Sequence, residues 1–313
     1  MTAITQQSQD MKESYHGVVV PIITPVTSQG EIDEPAVCRV IDYLLAAGVH
    51  GIFVLGTTGE ALSLSQPMRS RLVSVTVEHV GDRGMVYAGI SRNCLTDSVT
   101  ASQEYFQLGV DVVVAHLPSY YPIDADEQRE YYLTLAEKVS GPLMLYNIPI
   151  TTHLSIPIEV VEELSNHPRI IGLKDSEKDP ARLEEIMKRL GGRGDFSIFV
   201  GVSVLSAKIL GLGANGIVPS PGNLVPQVCV NVYENCKQNN MAVAETYQQQ
   251  MNAAAAIYQS GRMLGQSLAA LKAAMGVLEL CGPDVMPPLR ALDNSQQDAV
   301  RRQFMAWQAT QES

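Results

Sequence analysis

Eight short apolar runs rich in β-branched residues recur along the chain, at 18–23, 51–55, 85–89, 112–115, 143–146, 170–173, 198–200 and 216–218. They are nearly continuous rather than alternating, the pattern of parallel strands covered on both faces. Between them lie amphipathic stretches of helical period, among them 34–47, 67–80, 97–108 and 126–139. Asp179-Pro180 opens a further one that runs to Leu190, as expected of a capping residue followed by proline in the first turn. Strands alternating with helices in this way predict a parallel α/β architecture, either a closed barrel or an open, doubly wound sheet. Two features favour the barrel. The strand spacing is regular, and polar residues stand at many strand ends: Thr24, Gly56-Thr57-Thr58, Tyr146-Asn147, Lys174-Asp175 and Gly201. A barrel assembles its site from several C-terminal strand ends, whereas an open sheet concentrates it at one switch point. The predicted fold class is therefore α/β, a (β/α)8 TIM barrel with a C-terminal helical extension.

The extension is read from a shift in composition. After Ser220 the chain turns to Ala, Gln and Met in helical patterns at 223–239, 241–281 and 294–308, interrupted at Pro287-Pro288. The expected organisation is a flexible N-terminal arm over 1–16, a catalytic barrel over 17–236 and the extension over 237–313. Residues 1–16 are polar and lack the apolar core of a signal peptide. No apolar run approaches the ~20 residues that span a bilayer, so no membrane association is expected. A net charge of −11 with no basic cluster argues against nucleic acid as a partner. The five cysteines are odd in number and show no C-x-x-C spacing, which predicts reduced thiols and a cytoplasmic location. The histidines share no ligand spacing such as H-E-x-x-H, and neither a G-x-S-x-G nor a P-loop pattern occurs, so no metal is expected.

Lys174 ends the apolar run Ile170-Ile171-Gly172-Leu173. If it is buried, desolvation disfavours the charged form and frees an amine that can condense with a ketone. The alternative is a strand-end lysine that points outward or pairs with Asp175, and the sequence leaves both open. Gly56-Thr57-Thr58-Gly59-Glu60 follows the second strand and offers backbone N–H groups and hydroxyls to an anion such as a carboxylate; a turn with threonine caps has the same residues. Tyr146 follows the fifth strand, where a phenol can shuttle protons or simply pack at the edge of the core. Tyr120 and Tyr121 lie between Pro118 and Pro122 in a predicted rigid loop or interface.

Taken in order, Pro21-Ile22-Ile23-Thr24-Pro25, the GTTGE run, Tyr120-Tyr121, Tyr146-Asn147-Ile148-Pro149, Gly172-Leu173-Lys174-Asp175 and Pro287-Pro288-Leu289 resemble the dihydrodipicolinate synthase / N-acetylneuraminate lyase family over about 17–292. The resemblance implies a pyruvate-type class I aldolase or lyase that needs no cofactor, built as a homotetramer, a dimer of dimers. It makes Lys174 the Schiff-base lysine and Tyr146 the proton-transfer residue. Thr57 and Thr58 would hold the pyruvate carboxylate, with Thr57 also relaying protons. Tyr120 would come from a neighbouring subunit, or Tyr121 if the loop register slips by one. Gly201 and Val218 would line the pyruvyl pocket. Three departures stand out. Thr151 occupies the place where the synthases carry an arginine for the second substrate's carboxylate, and His153 stands where a glycine is common. Gln66, Arg69 and Ser119 replace the residues of the family's lysine-feedback site. Thr151 and His153 are thus the candidate contacts to the aldehyde half. The expected reaction joins or splits pyruvate, or another 2-oxo acid, and an aldehyde, with a 2-keto-3-deoxy sugar acid favoured as substrate. True dihydrodipicolinate synthesis and an idle keto-acid-binding paralogue are the alternatives.

Overall fold

The eight apolar runs are eight parallel strands that close on one another in the computed structural model, which describes residues 15–311. The strands are β1 (Gly17–Pro21), β2 (Gly51–Val54), β3 (Met85–Gly89), β4 (Val112–His116), β5 (Leu143–Asn147), β6 (Ile170–Asp175), β7 (Ser197–Val200) and β8 (Gly216–Ile217). Each pairs with the next, and β8 pairs with β1 through Gly17 opposite Gly216 and Val18 opposite Ile217. A helix follows each strand: α1 (Glu34–Ala46), α2 (Gln66–Val80), α3 (Leu95–Leu108), α4 (Ala125–Lys138), α5 (Ile158–Leu164), α6 (Pro180–Leu190), α7 (Ser206–Gly211) and α8 (Pro226–Lys237). The extension adds α9 (Met241–Gln259), α10 (Leu264–Met275) and α11 (Asn294–Gln311).

Local chemistry sets several helix starts. Asp33 accepts from the Ala36 N–H ahead of α1, and Asp179 accepts from Ala181 N–H ahead of Pro180 in α6. Asp124 and Glu127 form a reciprocal capping box at α4. The stretch 241–281, read as one helical pattern, is interrupted after Gln259: Gly261 adopts a φ of +70° there, and α10 starts afresh at Leu264. A positive φ is open to glycine and ends the right-handed helix.

Two apolar cores result. Helix faces such as Val37, Val40, Ile41 and Leu44 of α1 cover the outer side of the barrel, against Ile52 and Val54. A second cluster fills its interior, with Phe53, Tyr87, Met144, Tyr146, Phe199 and Val218. Gly216 makes room for one of these rings, since a Cβ there would stand 2.4 Å from Phe199 Cε1. Of the expected arm, residues 1–14 lie outside the described residues. Tyr15 packs against the interior cluster, and the His16 ring meets that of His50 edge-on at 5.4 Å. Among the described residues no helix is long and apolar enough to cross a membrane.

Candidate active site

Strand register puts Lys174 inside the barrel. It pairs with Tyr146 on one side and Phe199 on the other, and laterally paired residues share a face. The side chain is 4% exposed. Its Nζ lies 3.8 Å from the centroid of the Tyr146 ring and 4.8 Å from that of Phe53. Burial pushes the amine below the ordinary lysine range, against a smaller opposing effect of Tyr146. The neighbouring Asp175 faces the other way, as strand alternation requires. It accepts from Arg182 Nε at 3.0 Å, from Asn147 Nδ2 at 2.9 Å and from the Glu177 N–H at 2.9 Å. A Lys174–Asp175 pair is thereby ruled out, and Lys174 forms no ion pair with any described residue.

The loop after β2 is held in an uncommon backbone shape. Leu55 and Glu60, neither a glycine, have φ of 59° and 54°. Left-handed conformations of such residues persist where surroundings over-determine them, often at functional sites. Here the surroundings are visible: Thr24 Oγ1 donates to Gly59 O at 2.6 Å, and the Glu60 N–H donates to Thr57 O at 3.2 Å. The Glu60 carboxylate lies 2.5 Å from Lys272 Nζ, both side chains being fully buried. Lys272 also donates to Asp284 O at 2.7 Å, and the Met286 N–H donates to Glu60 Oε2 at 2.7 Å. Glu60 thus ties the threonine loop to the C-terminal extension. Thr57 Oγ1 stands 3.4 Å from Tyr146 Oη, at the long end of hydrogen bonding, and Thr58 is buried beside it.

A cavity of about 180 Å³ opens beside Thr57 and Tyr146; Lys174, Thr58, Gly201 and Val218 are not among the residues that line it. Thr57, Tyr146, Phe53 and Thr151 line it from the barrel, and Leu264, Leu268 and Leu289 from the extension. Gly201 sits at the next strand end, where a Cβ would come within 2.0 Å of Ser176 Oγ, so that position excludes a larger side chain as built. Val218 is buried in the interior cluster with Tyr146. His153 is exposed, adopts a φ of 60° and does not line the cavity. Tyr120 and Tyr121 are 74% and 71% exposed and also stand apart from it, their rings edge-on at 4.9 Å.

Two residues of the site, His116 and Lys272, escaped the sequence reading. His116 lines the cavity one residue beyond the predicted end of β4, and pairs laterally with Tyr146. Its Nδ1 donates to Leu117 O at 2.8 Å, and burial pushes its pKa down. Extending the inward positions Val112 and Val114 by one more step of two would have found it. Arg92, which the sequence offers beside Arg69 as a stand-in for the missing arginine, also lines the cavity. Lys272 lies in an alanine-rich helix, and nothing local marks it as the partner of Glu60.

Residues 14–306 match the model of the dihydrodipicolinate synthetase family. The chain belongs to this family. Within the dihydrodipicolinate synthetase family it is similar to a DapA-like lyase of Halobacterium salinarum, 29% identical over 91% of each chain. It is also similar to YagE of Escherichia coli K12, a candidate 2-dehydro-3-deoxy-D-gluconate aldolase, 29% identical over 89% of this chain and 92% of that one. The solved structure of YagE in complex with pyruvate superposes with a TM-score of 0.88 at 27% identity, covering 94% of this chain and 99% of the other. Dihydrodipicolinate synthase from Bacteroides thetaiotaomicron gives the same TM-score at 29% identity, over 93% and 98%.

Proposed function

We propose that this member of the dihydrodipicolinate synthetase family is a Schiff-base-forming class I aldolase or lyase, which makes or breaks a C–C bond between pyruvate and an aldehyde. The observation that carries the reading is the buried Lys174 amine against two aromatic rings, with its pKa pushed down and, among the described residues, no ion-pair partner. The Lys174 amine attacks the keto carbon, and water leaves as the imine forms. The protonated imine is an electron sink, so loss of a C3 proton, or cleavage of the C3–C4 bond, gives an enamine. In the synthetic direction the enamine attacks the aldehyde; hydrolysis then releases the product and restores the amine. Tyr146 carries the protons, with Thr57 as relay across their 3.4 Å contact. Thr57 and Thr58 receive the pyruvate carboxylate, and Gly201 and Val218 shape the pyruvyl end. The reading requires no cofactor or metal.

A 2-keto-3-deoxy sugar acid is the favoured substrate. Thr151 lines the cavity with a hydroxyl in the place of the synthases' arginine, and suits a hydroxylated aldehyde half. YagE, with its aldolase name and its pyruvate complex, supports the same direction. Dihydrodipicolinate synthesis is the second reading, supported by the 4-hydroxy-tetrahydrodipicolinate synthase of Thermodesulfovibrio yellowstonii, 30% identical over 68% of this chain. We also take the working form to be a homotetramer in which Tyr120 reaches a neighbour's site, which accounts for its exposure in the single chain. The five unpaired cysteines support a cytoplasmic location. The test is borohydride reduction with pyruvate in excess, followed by peptide mapping. An adduct on Lys174 is expected; a map with no adduct there rejects the chemistry.

A further inference from the structure

The cavity has an uneven distribution of charge that the aldol chemistry leaves unused. Among its described lining residues the only carboxylate is Glu60, and that group is already neutralised by Lys272 at 2.5 Å. Arg92 lines the same cavity. Its Nη1 donates to Ser91 O at 2.8 Å, and its Nη2 reaches Gln66 Oε1 at 3.3 Å and Tyr105 Oη at 3.4 Å. All three acceptors are neutral. Gln66 in turn donates to Glu104 at 3.0 Å, so an amide stands between that carboxylate and the guanidinium. A second arginine lies close behind. Arg69 is 9% exposed and donates from Nε to Ala61 O at 2.8 Å; burial and the charge of Arg92 push its pKa down to about 10. Among the described residues neither arginine has an ion-pair partner. Two neighbouring guanidiniums without a counter-charge at a partly enclosed cavity attract an anion, and a guanidinium can grip a carboxylate or phosphate with two parallel N–H bonds.

We propose that Arg92 anchors a second anionic group, the terminal carboxylate or phosphate of the aldehyde half of the substrate. The inference rests on the aldol reading above and narrows it. The first anion sits on Thr57 and Thr58, the second on Arg92, with Thr151 and Ser91 also on the cavity wall to meet hydroxyls. Arg69 reinforces the field from behind. The same field disfavours an ammonium group next to the terminal anion, so an aldehyde acid without an amino group binds better than aspartate semialdehyde.

The experiment compares kcat/KM for pyruvate with four aldehydes: glyceraldehyde, glyceraldehyde 3-phosphate, succinic semialdehyde and aspartate semialdehyde. The native chain is expected to prefer the phosphate or the succinic compound, and whichever wins identifies the anion. In Arg92→Gln the ratio of the preferred anionic aldehyde to glyceraldehyde should fall about tenfold or more, the usual worth of a charge-assisted contact, with Arg92→Lys in between. Borohydride trapping of pyruvate on Lys174 in each variant reports that the barrel and its lysine are intact. An unchanged ratio in a variant that still traps pyruvate overturns the proposal. So does inhibition by succinate or inorganic phosphate that is non-competitive with the aldehyde, which would mark an effector site. If the native chain traps no pyruvate, it is the aldol reading that fails. Anion binding is then measured directly by calorimetry with succinate and with inorganic phosphate, and equal affinity in native and Arg92→Gln chains rejects the role of Arg92.

Discussion

Lys174 keeps its amine against the faces of Tyr146 and Phe53, and this placement has consequences for pH dependence. Only the uncharged amine adds to a ketone. Because burial lowers its pKa from the usual 10.5, the rate of imine trapping should rise with pH and level off below that value. The measurement is the initial rate of borohydride trapping across pH; a midpoint at the ordinary lysine value would contradict it. The sign for stability is consistent. A lysine whose folded pKa lies below its unfolded one costs stability when protonated, and that cost is relieved as pH rises through the interval between the two. Lys174→Ala should abolish turnover and leave the fold intact. Tyr146→Phe should lower kcat by roughly 10²–10⁴, the worth of a positioned acid–base group, while KM for pyruvate changes far less. Equal losses in both constants would make Tyr146 a positioning residue instead. At this scale the sequence was legible as to residue type and position but not as to direction. Whether Lys174 faced inward or met Asp175 turned on the register against β5, which a bulge alters: Leu143 pairs with Ile170 but Met144 with Gly172.

The threonine loop and helix α10 are joined by a contact of a different order. Glu60 and Lys272 are both fully buried, and each has a second partner in the segment at Asp284 and Met286. Removing one member of such a pair strands the other charge in a low-dielectric interior. Lys272→Met should therefore destabilise the chain by ~3–5 kcal/mol, and Glu60→Gln combined with Lys272→Met should recover much of that loss. Urea midpoints of the three chains check this. Additive losses in the double variant would mean that the groups act independently. Because Glu60 also lines the cavity, KM for pyruvate is expected to rise in the single variant as the loop loosens. The elements themselves were readable. All eight strands fall within two residues of their predicted ends, since a barrel strand is a continuous apolar run and needs no partner to reveal itself. The break between α9 and α10 was missed, because alanine and glutamine sustain a helical pattern through Gly261.

Across the whole molecule, the exposed Tyr120 tests the assembly. If Tyr120 completes a neighbour's proton relay, Tyr120→Phe and Lys174→Ala chains, each impaired, should regain activity when unfolded together and reassembled. The Phe variant supplies intact lysines and the Ala variant supplies the tyrosines. Mixtures no more active than the sum of their parents would place Tyr120 outside the site. The amino-acid sequence alone determined the architecture, because eight apolar runs, their helical spacers and their polar ends are periodic and local, and each constrains the backbone where it stands. It also singled out Thr57, Thr58, Tyr146 and Lys174 as strand-end residues, which any closed barrel must bring to one rim. Only the tertiary structure decided what surrounds them. It turned Lys174 inward and Asp175 toward Arg182, paired Glu60 with Lys272, and left Arg92 in the cavity without an ion-pair partner among the described residues. It also left His153 at the surface, away from that cavity. These outcomes depend on side chains from elements far apart in the chain, and electrostatic pairing and burial are properties of neighbours in space, which no local pattern encodes.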